Sequence, residues 1–130
     1  MTSPATEARV ALSTALDEID GLTVHAVWPQ GAVNPPMAVI RPREPWMRPI
    51  TLAKTEVAVY VDIAVKATGS NNTAIVQLED LAGQASVKLR AAGAMVGNVS
   101  APTTTEIGST QLMVSTIEAL VHVTDEGATP

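Results

Sequence analysis

The chain contains no cysteine and no phenylalanine, and its aromatic residues are Trp28, Trp46 and Tyr60 alone. Without cysteine there are no disulfides, no thiolate nucleophile and no thiolate-bound metal. That suits a reducing compartment without demanding one. Without phenylalanine the core has to be built from Val, Leu, Ile, Met and Ala. Positive charge is scarce as well. Eight Lys and Arg against thirteen Asp and Glu give a formal net charge of −5, which disfavours a general nucleic-acid binder that works by neutralising phosphates. No apolar run approaches the roughly 18 residues of a membrane span, so no membrane partner is expected. The opening residues, MTSPATEARV, have no basic stretch leading into an apolar one, and no secretory signal is expected. Nucleotide-binding loops of the GxxxxGK[ST] and GxGxxG types are missing, as is the GxSxG elbow.

What is present is apolar and strongly patterned. Hydrophobic residues make up 46% of the 130 and charged residues 16%, a balance that argues for one folded domain with a sizeable core. Residues 53–66, AKTEVAVYVDIAVK, carry the clearest signal. Val57, Val59, Val61, Ile63 and Val65 alternate with Glu56, Ala58, Tyr60, Asp62 and Lys66, and a period of two puts the β-branched residues on one face of a strand. This predicts a long central strand with one fully apolar face. Before it, Ser3 as a cap, Pro4 at the first helical position and an apolar stripe of Ala8, Ala11, Leu12, Ala15, Leu16 and Ile19 predict a helix over 3–20, stopped by Gly21. Residues 22–28 and 37–41 read as strands, the first ended by the PQGAVNPP break, the second followed by an irregular, proline-bounded connection. Ile75, Leu78, Leu81, Ala82, Ala85 and Leu89 predict a second helix over 70–92, capped by Ser70 or Asn72 and stopped by Gly93. Gly83 inside it costs about 1 kcal/mol against alanine and is expected to permit close packing on the sheet. A strand pair over 98–124 completes the chain: a Thr-rich strand at 99–107, a turn at Gly108 and Ser109, and a strand at 111–124. The apolar phase changes along that last strand, which calls for a bulge or for burial on both faces. Residues 125–130 read as a frayed tail. The fold class expected is α+β, a mixed or antiparallel sheet with two helices packed on one face, in the order α-β-β-β-α-β-β.

Chemistry is hard to assemble from these residues. His25 and His122 are the two histidines; with Glu118 or Asp62 a metal site can be imagined, but no close ligand spacing supports one, and no cofactor is expected. Asn71-Asn72-Thr73 and Asn98-Val99-Ser100 match the glycosylation sequon and read as chance matches. Asp17, Glu18 and Asp20 crowd the end of the first helix, where the dipole disfavours them; they are either a solvated end or an acidic contact for a partner. One patch stands out. Four of the eight basic residues, Arg41, Arg43, Arg48 and Lys54, lie within 41–54, with Trp46 and Met47 between prolines. Three readings apply: a connecting loop with its Trp folded onto the sheet, a protein interface, which favours Trp, Met and Arg, or a local DNA contact.

The helix ending in DEIDGLTVHAVWP, the proline break VNPPMAVIRP, the valine-rich strand, the single helix and the closing strand pair together resemble the tail terminator proteins of long-tailed bacteriophages, with the stretch from Asn34 to Ile40 the closest local match. The resemblance implies a non-enzymatic subunit without cofactor. It implies a homo-oligomeric ring, usually a hexamer, that caps the tail tube protein and offers a surface to the head-completion or connector protein. The genome DNA would pass through such a ring without sequence-specific binding. The location implied is the tail or neck of the virion, and the host cytoplasm during assembly. A head-tail connector or stopper is the structural alternative; a small-ligand module or minor enzyme using His25, His122 and Asp62 is the alternative of another kind. The interface expected comprises Arg41, Arg43, Trp46, Met47, Arg48 and Lys54 on one side and Asp17, Glu18 and Asp20 on the other.

Overall fold

The computed structural model describes residues 3–25, 35–67, 71–107 and 110–124. The described elements run α1 (Pro4–Leu16), β1 (Thr23–His25), β2 (Met37–Pro49), β3 (Lys54–Lys66), α2 (Asn71–Ala91), β4 (Met95–Val99), β5 (Thr103–Ile107) and β6 (Thr110–Thr124). One six-stranded mixed sheet is built in the order β1-β2-β3-β6-β4, with β5 also paired to β6. The β1–β2 pairing is parallel and the rest antiparallel. This is the α+β architecture expected from the pattern, with one more strand.

The centre is the β3–β6 pair, whose register runs without interruption from Lys54 opposite Thr124 to Lys66 opposite Leu112. The alternation read from the sequence is realised here. Val57, Val59, Val61, Ile63 and Val65 are buried, and they form one cluster with Leu12 and Leu16 of α1 and Leu78, Ala85 and Leu89 of α2. Full burial of a side chain of this size is worth on the order of 1.5–3 kcal/mol, so this row alone is comparable to the net stability of about 5–15 kcal/mol typical of a domain.

The phase change in β6 comes from burial on both faces, since the β3–β6 register contains no bulge. Met113, Ile117, Ala119, Val121 and Val123 join the core under the helices. Leu112 and Val114 lie on the other face, in a smaller cluster with Met37 and Ala64. β3 thus has the one fully apolar face expected, and on its other face Ala58, Asp62 and Ala64, which point away from the helices, are buried too.

Helix ends follow local chemistry. The Ser3 hydroxyl accepts from the Thr6 amide at 3.1 Å. α1 stops at Leu16, short of the expected residue 20, and the chain continues in tighter turns, with the Ile19 amide donating to the Leu16 carbonyl at 3.0 Å. Three acidic side chains at a helix C-terminus oppose the dipole there, yet Ile19 stays buried. α2 ends in a Schellman motif: Gly93, at φ +96°, donates to Arg90, and the Ala94 amide to Leu89, each at 3.0 Å.

Two strand expectations need correction. The Thr-rich strand expected at 99–107 is shortened to β5, and an unexpected strand, β4, precedes it in tandem along β6. Pro102 has no amide to donate, and the joint is instead pinned by Ser100, whose amide donates to the Thr116 carbonyl at 2.8 Å and whose carbonyl accepts from the Ser115 hydroxyl at 2.7 Å. The proline-bounded connection after residue 41 is the second half of β2, paired with β3 as far as Pro49 opposite Thr55. Proline is excluded from a central strand but tolerated on an edge, and β1 covers only Met37–Val39 of β2. From the first-strand reading, residues 26–28 lie outside the described residues, as do Ser70, the turn at 108–109 and the tail at 125–130.

Val61 is fully buried in the middle of the valine row. Val61→Asp should abolish cooperative unfolding in a urea titration followed by circular dichroism, because a buried charge there has no partner. A transition like that of the unsubstituted chain would mean the row is not the core.

Candidate functional site

The face of the sheet away from the helices carries most of the charge, and its geometry follows from register. Arg41 sits opposite Tyr60, and Asp62 opposite Thr116. The Asp62 side chain is 2% exposed, and both of its oxygens accept hydrogen bonds. Arg41 donates through Nε to Oδ2 and through Nη2 to Oδ1 at 3.0 Å, and the Thr116 hydroxyl donates to Oδ1 at 2.6 Å. The Arg41 guanidinium also lies 4.7 Å from the Tyr60 ring centroid, and that of Arg43 5.8 Å, so one aromatic ring is flanked by two cations. Further along, Arg43 pairs with Glu118 at 3.8 Å, Arg48 with Glu56 at 3.1 Å, and Glu56 also with His122 at 3.2 Å. The hydrogen bond to Asp62 raises the Arg41 pKa above its ordinary value; partial burial opposes this, and the Asp62 charge adds to the rise. A raised value means stability present at every pH below the ordinary arginine range and lost only above it, so neutral or mildly acid solution does not remove the arginine's contribution.

A polar depression of about 470 Å³ opens beside this pair, lined by Arg41, Asp62, Thr103, Thr105, Val114 and Thr116. It does not gather the groups of the enzyme alternative. His122 pairs with Glu56, six residues along β3 from Asp62, a distance of roughly 20 Å. His25 shares a cross-strand row with Asp62, but buried Val39 stands between them. Both Asp62 oxygens accept hydrogen bonds from within the chain, from Arg41 and Thr116. No group of three His, Cys, Asp or Glu side chains converges for a metal ion among the described residues.

The residues expected to form one basic patch are split by a bulge. Pro42 pairs with Val59 and Met47 with Val57, so four residues of β2, Arg43, Glu44, Pro45 and Trp46, stand opposite Ala58 alone. Arg43 turns to the charged face. Trp46 turns to the helix side, where it lines a groove of about 250 Å³ with Ala5 and Arg9 of α1, Ile40, Pro42 and Val59. Arg41, Arg43 and Arg48 are thereby neutralised within the subunit. Lys54, by contrast, is exposed, with no ion-pair partner among the described residues. Asp17, Glu18 and Asp20 are exposed at the far end of α1, with Glu18 reaching Lys88 of α2 at 3.2 Å.

The end of the β2–β3 hairpin adds what sequence reasoning missed. Ile50 and Thr51 donate their amides to the Lys54 carbonyl, closing a short turn. Leu52 at its tip is 97% exposed, and Trp46, Met47 and Ile50 are 41–43% exposed. Large apolar side chains in a tight turn, where glycine and polar residues are usual, were the available signal. No protein-family model matches the chain, and no curated protein matches it.

Arg41→Ala should cost about 3 kcal/mol, because it strands a buried carboxylate, while Arg43→Ala should cost under about 1 kcal/mol, as partly exposed pairs do. Adding Asp62→Ala to Arg41→Ala should recover part of the loss. Urea midpoints of the three variants, beside the unsubstituted chain, test this; equal costs for the two arginines would contradict it.

Proposed function

We propose that the chain is a structural subunit of a long-tailed bacteriophage, a tail terminator that assembles as a ring on the end of the tail tube and presents a surface for joining the head. The observation that carries this reading is the hairpin end, a compact set of exposed apolar residues, Trp46, Met47, Ile50 and Leu52, on a domain whose other large apolar side chains are mostly buried. Exposed clusters of this kind mark protein contacts. The sequence resemblance gives the class of contact. The element order, with a helix before three strands and a helix before the closing strands, agrees with that resemblance.

The charged face supports an assembly role as well. Its arginines are paired with carboxylates of the same subunit, which leaves little unpaired positive charge to hold DNA phosphates. DNA passing through a ring of such subunits would meet surface that does not retain it. The subunit would be made in the host cytoplasm and would end in the neck of the virion.

Phage lacking the protein should make tails of uncontrolled length that do not join heads, counted by electron microscopy of lysates. Tails of normal length that remain headless would transfer the protein to the connector or stopper position, and normal virions would remove it from the particle.

A further inference from the structure

Gly83 lies in the middle of α2, where glycine costs about 1 kcal/mol relative to alanine. The expectation that it allows close packing on the sheet is not met. Gly83 is exposed, and a Cβ added there would meet nothing within 4 Å. Its missing side chain instead deepens a groove of about 300 Å³ between α2 and the β4–β5 joint, lined by Leu78, Glu79, Ala82, Gly83, Val99 and Pro102 among others. The groove is mainly apolar, and Glu79 at its rim has no ion-pair partner among the described residues.

We infer that this groove receives the β2–β3 hairpin end of a second copy of the chain, with Leu52 and Ile50 entering it and Lys54 meeting Glu79. The inference rests on the ring reading above and names its two contacting surfaces. Three observations select this occupant. The hairpin end offers exposed apolar side chains, Leu52 and Ile50, to a groove that is itself mainly apolar. It also carries an unpaired lysine to match the groove's unpaired glutamate. Finally, the hairpin cannot fill the groove of its own chain. Ser115, on the groove wall, pairs with Ile63, nine residues along β3 from Lys54, a distance of roughly 30 Å. The turn closes between Ile50 and Lys54 and is far too short to span that. A contact between unlike surfaces is head-to-tail and generates a ring when its rotation closes.

The absence of cysteine makes the test direct. Leu52→Cys and Ser86→Cys chains, separately folded and then mixed under mild oxidation, should form a covalent heterodimer, since a disulfide needs Cα atoms within about 7 Å. The pair Leu52→Cys and Glu106→Cys, the latter on β5 away from the groove, should not. Gly83→Leu, which fills the groove, should weaken self-association in sedimentation roughly thirtyfold, as loss of a main contact does, while its thermal melt stays equal or rises. Wild-type rings that persist in Gly83→Leu, or cross-linking no better than the Glu106→Cys control, would overturn the inference and leave the ring standing. A wild-type chain that stays monomeric both alone and with tail tubes would overturn the ring reading and the inference together. Tail tubes that capture the chain as single subunits, indifferent to Gly83→Leu, would assign the hairpin end to the tube instead of a second copy.

Discussion

The unbroken pairing of β3 with β6 is the constraint on which the molecule depends. All thirteen residues of β3 are in register with β6, and side chains alternate strictly between faces along both strands. A slip by one residue would exchange the valine row for Glu56, Tyr60, Asp62 and Lys66, placing four polar side chains under the helices. Register, core and charged face are therefore one decision. The helices cover what the pairing offers, and the arginines of β2 answer the carboxylates that the same pairing turns the other way.

The charged face is also a specificity device in its own right. A half-buried pair such as Arg41 with Asp62 contributes less net stability than its close contact suggests, because the Asp62 carboxylate gives up its water to make it. Its larger effect is on alternatives. Any other alignment of β2 against β3 would leave the Asp62 carboxylate without Arg41, and any other alignment of β6 would remove the Thr116 hydroxyl. The bulge at residues 43–46 serves the same end, sending Arg43 to Tyr60 and Trp46 to the helix side.

Much of this was legible because it depends on periodicity. The valine alternation, the Ser3 cap, the Gly93 stop and the two helical stripes are local signals, and local physics realises them. The β2 extension was not legible, because prolines rule out a central strand but are silent about an edge, and edge position is a property of the whole sheet. The split of β4 from β5 turned on a single missing amide at Pro102. The candidate site was readable in composition and not in arrangement. Arg41, Arg43, Arg48 and Trp46 are neighbours in the chain, yet the three arginines share the charged face while the bulge sends Trp46 to the helix side. Gly83 could be flagged from the sequence, but which way it faces depends on where α2 rolls on the sheet.

The two margins of the sheet have a consequence for behaviour in a crowded cell. Along β2 beyond Val39, prolines at 42, 45 and 49 remove amides from the outer strand. On the opposite side, the run along β6 is divided at Pro102 into two strands of five residues each. Among the described residues neither margin offers a long, regular template for another strand, and such templates are what drive fibre growth. Copies of the chain that meet at high concentration are thereby steered away from open-ended stacking through their backbones. Any contact between copies would then fall to side chains, whose shapes, unlike a regular backbone ladder, discriminate one geometry from another.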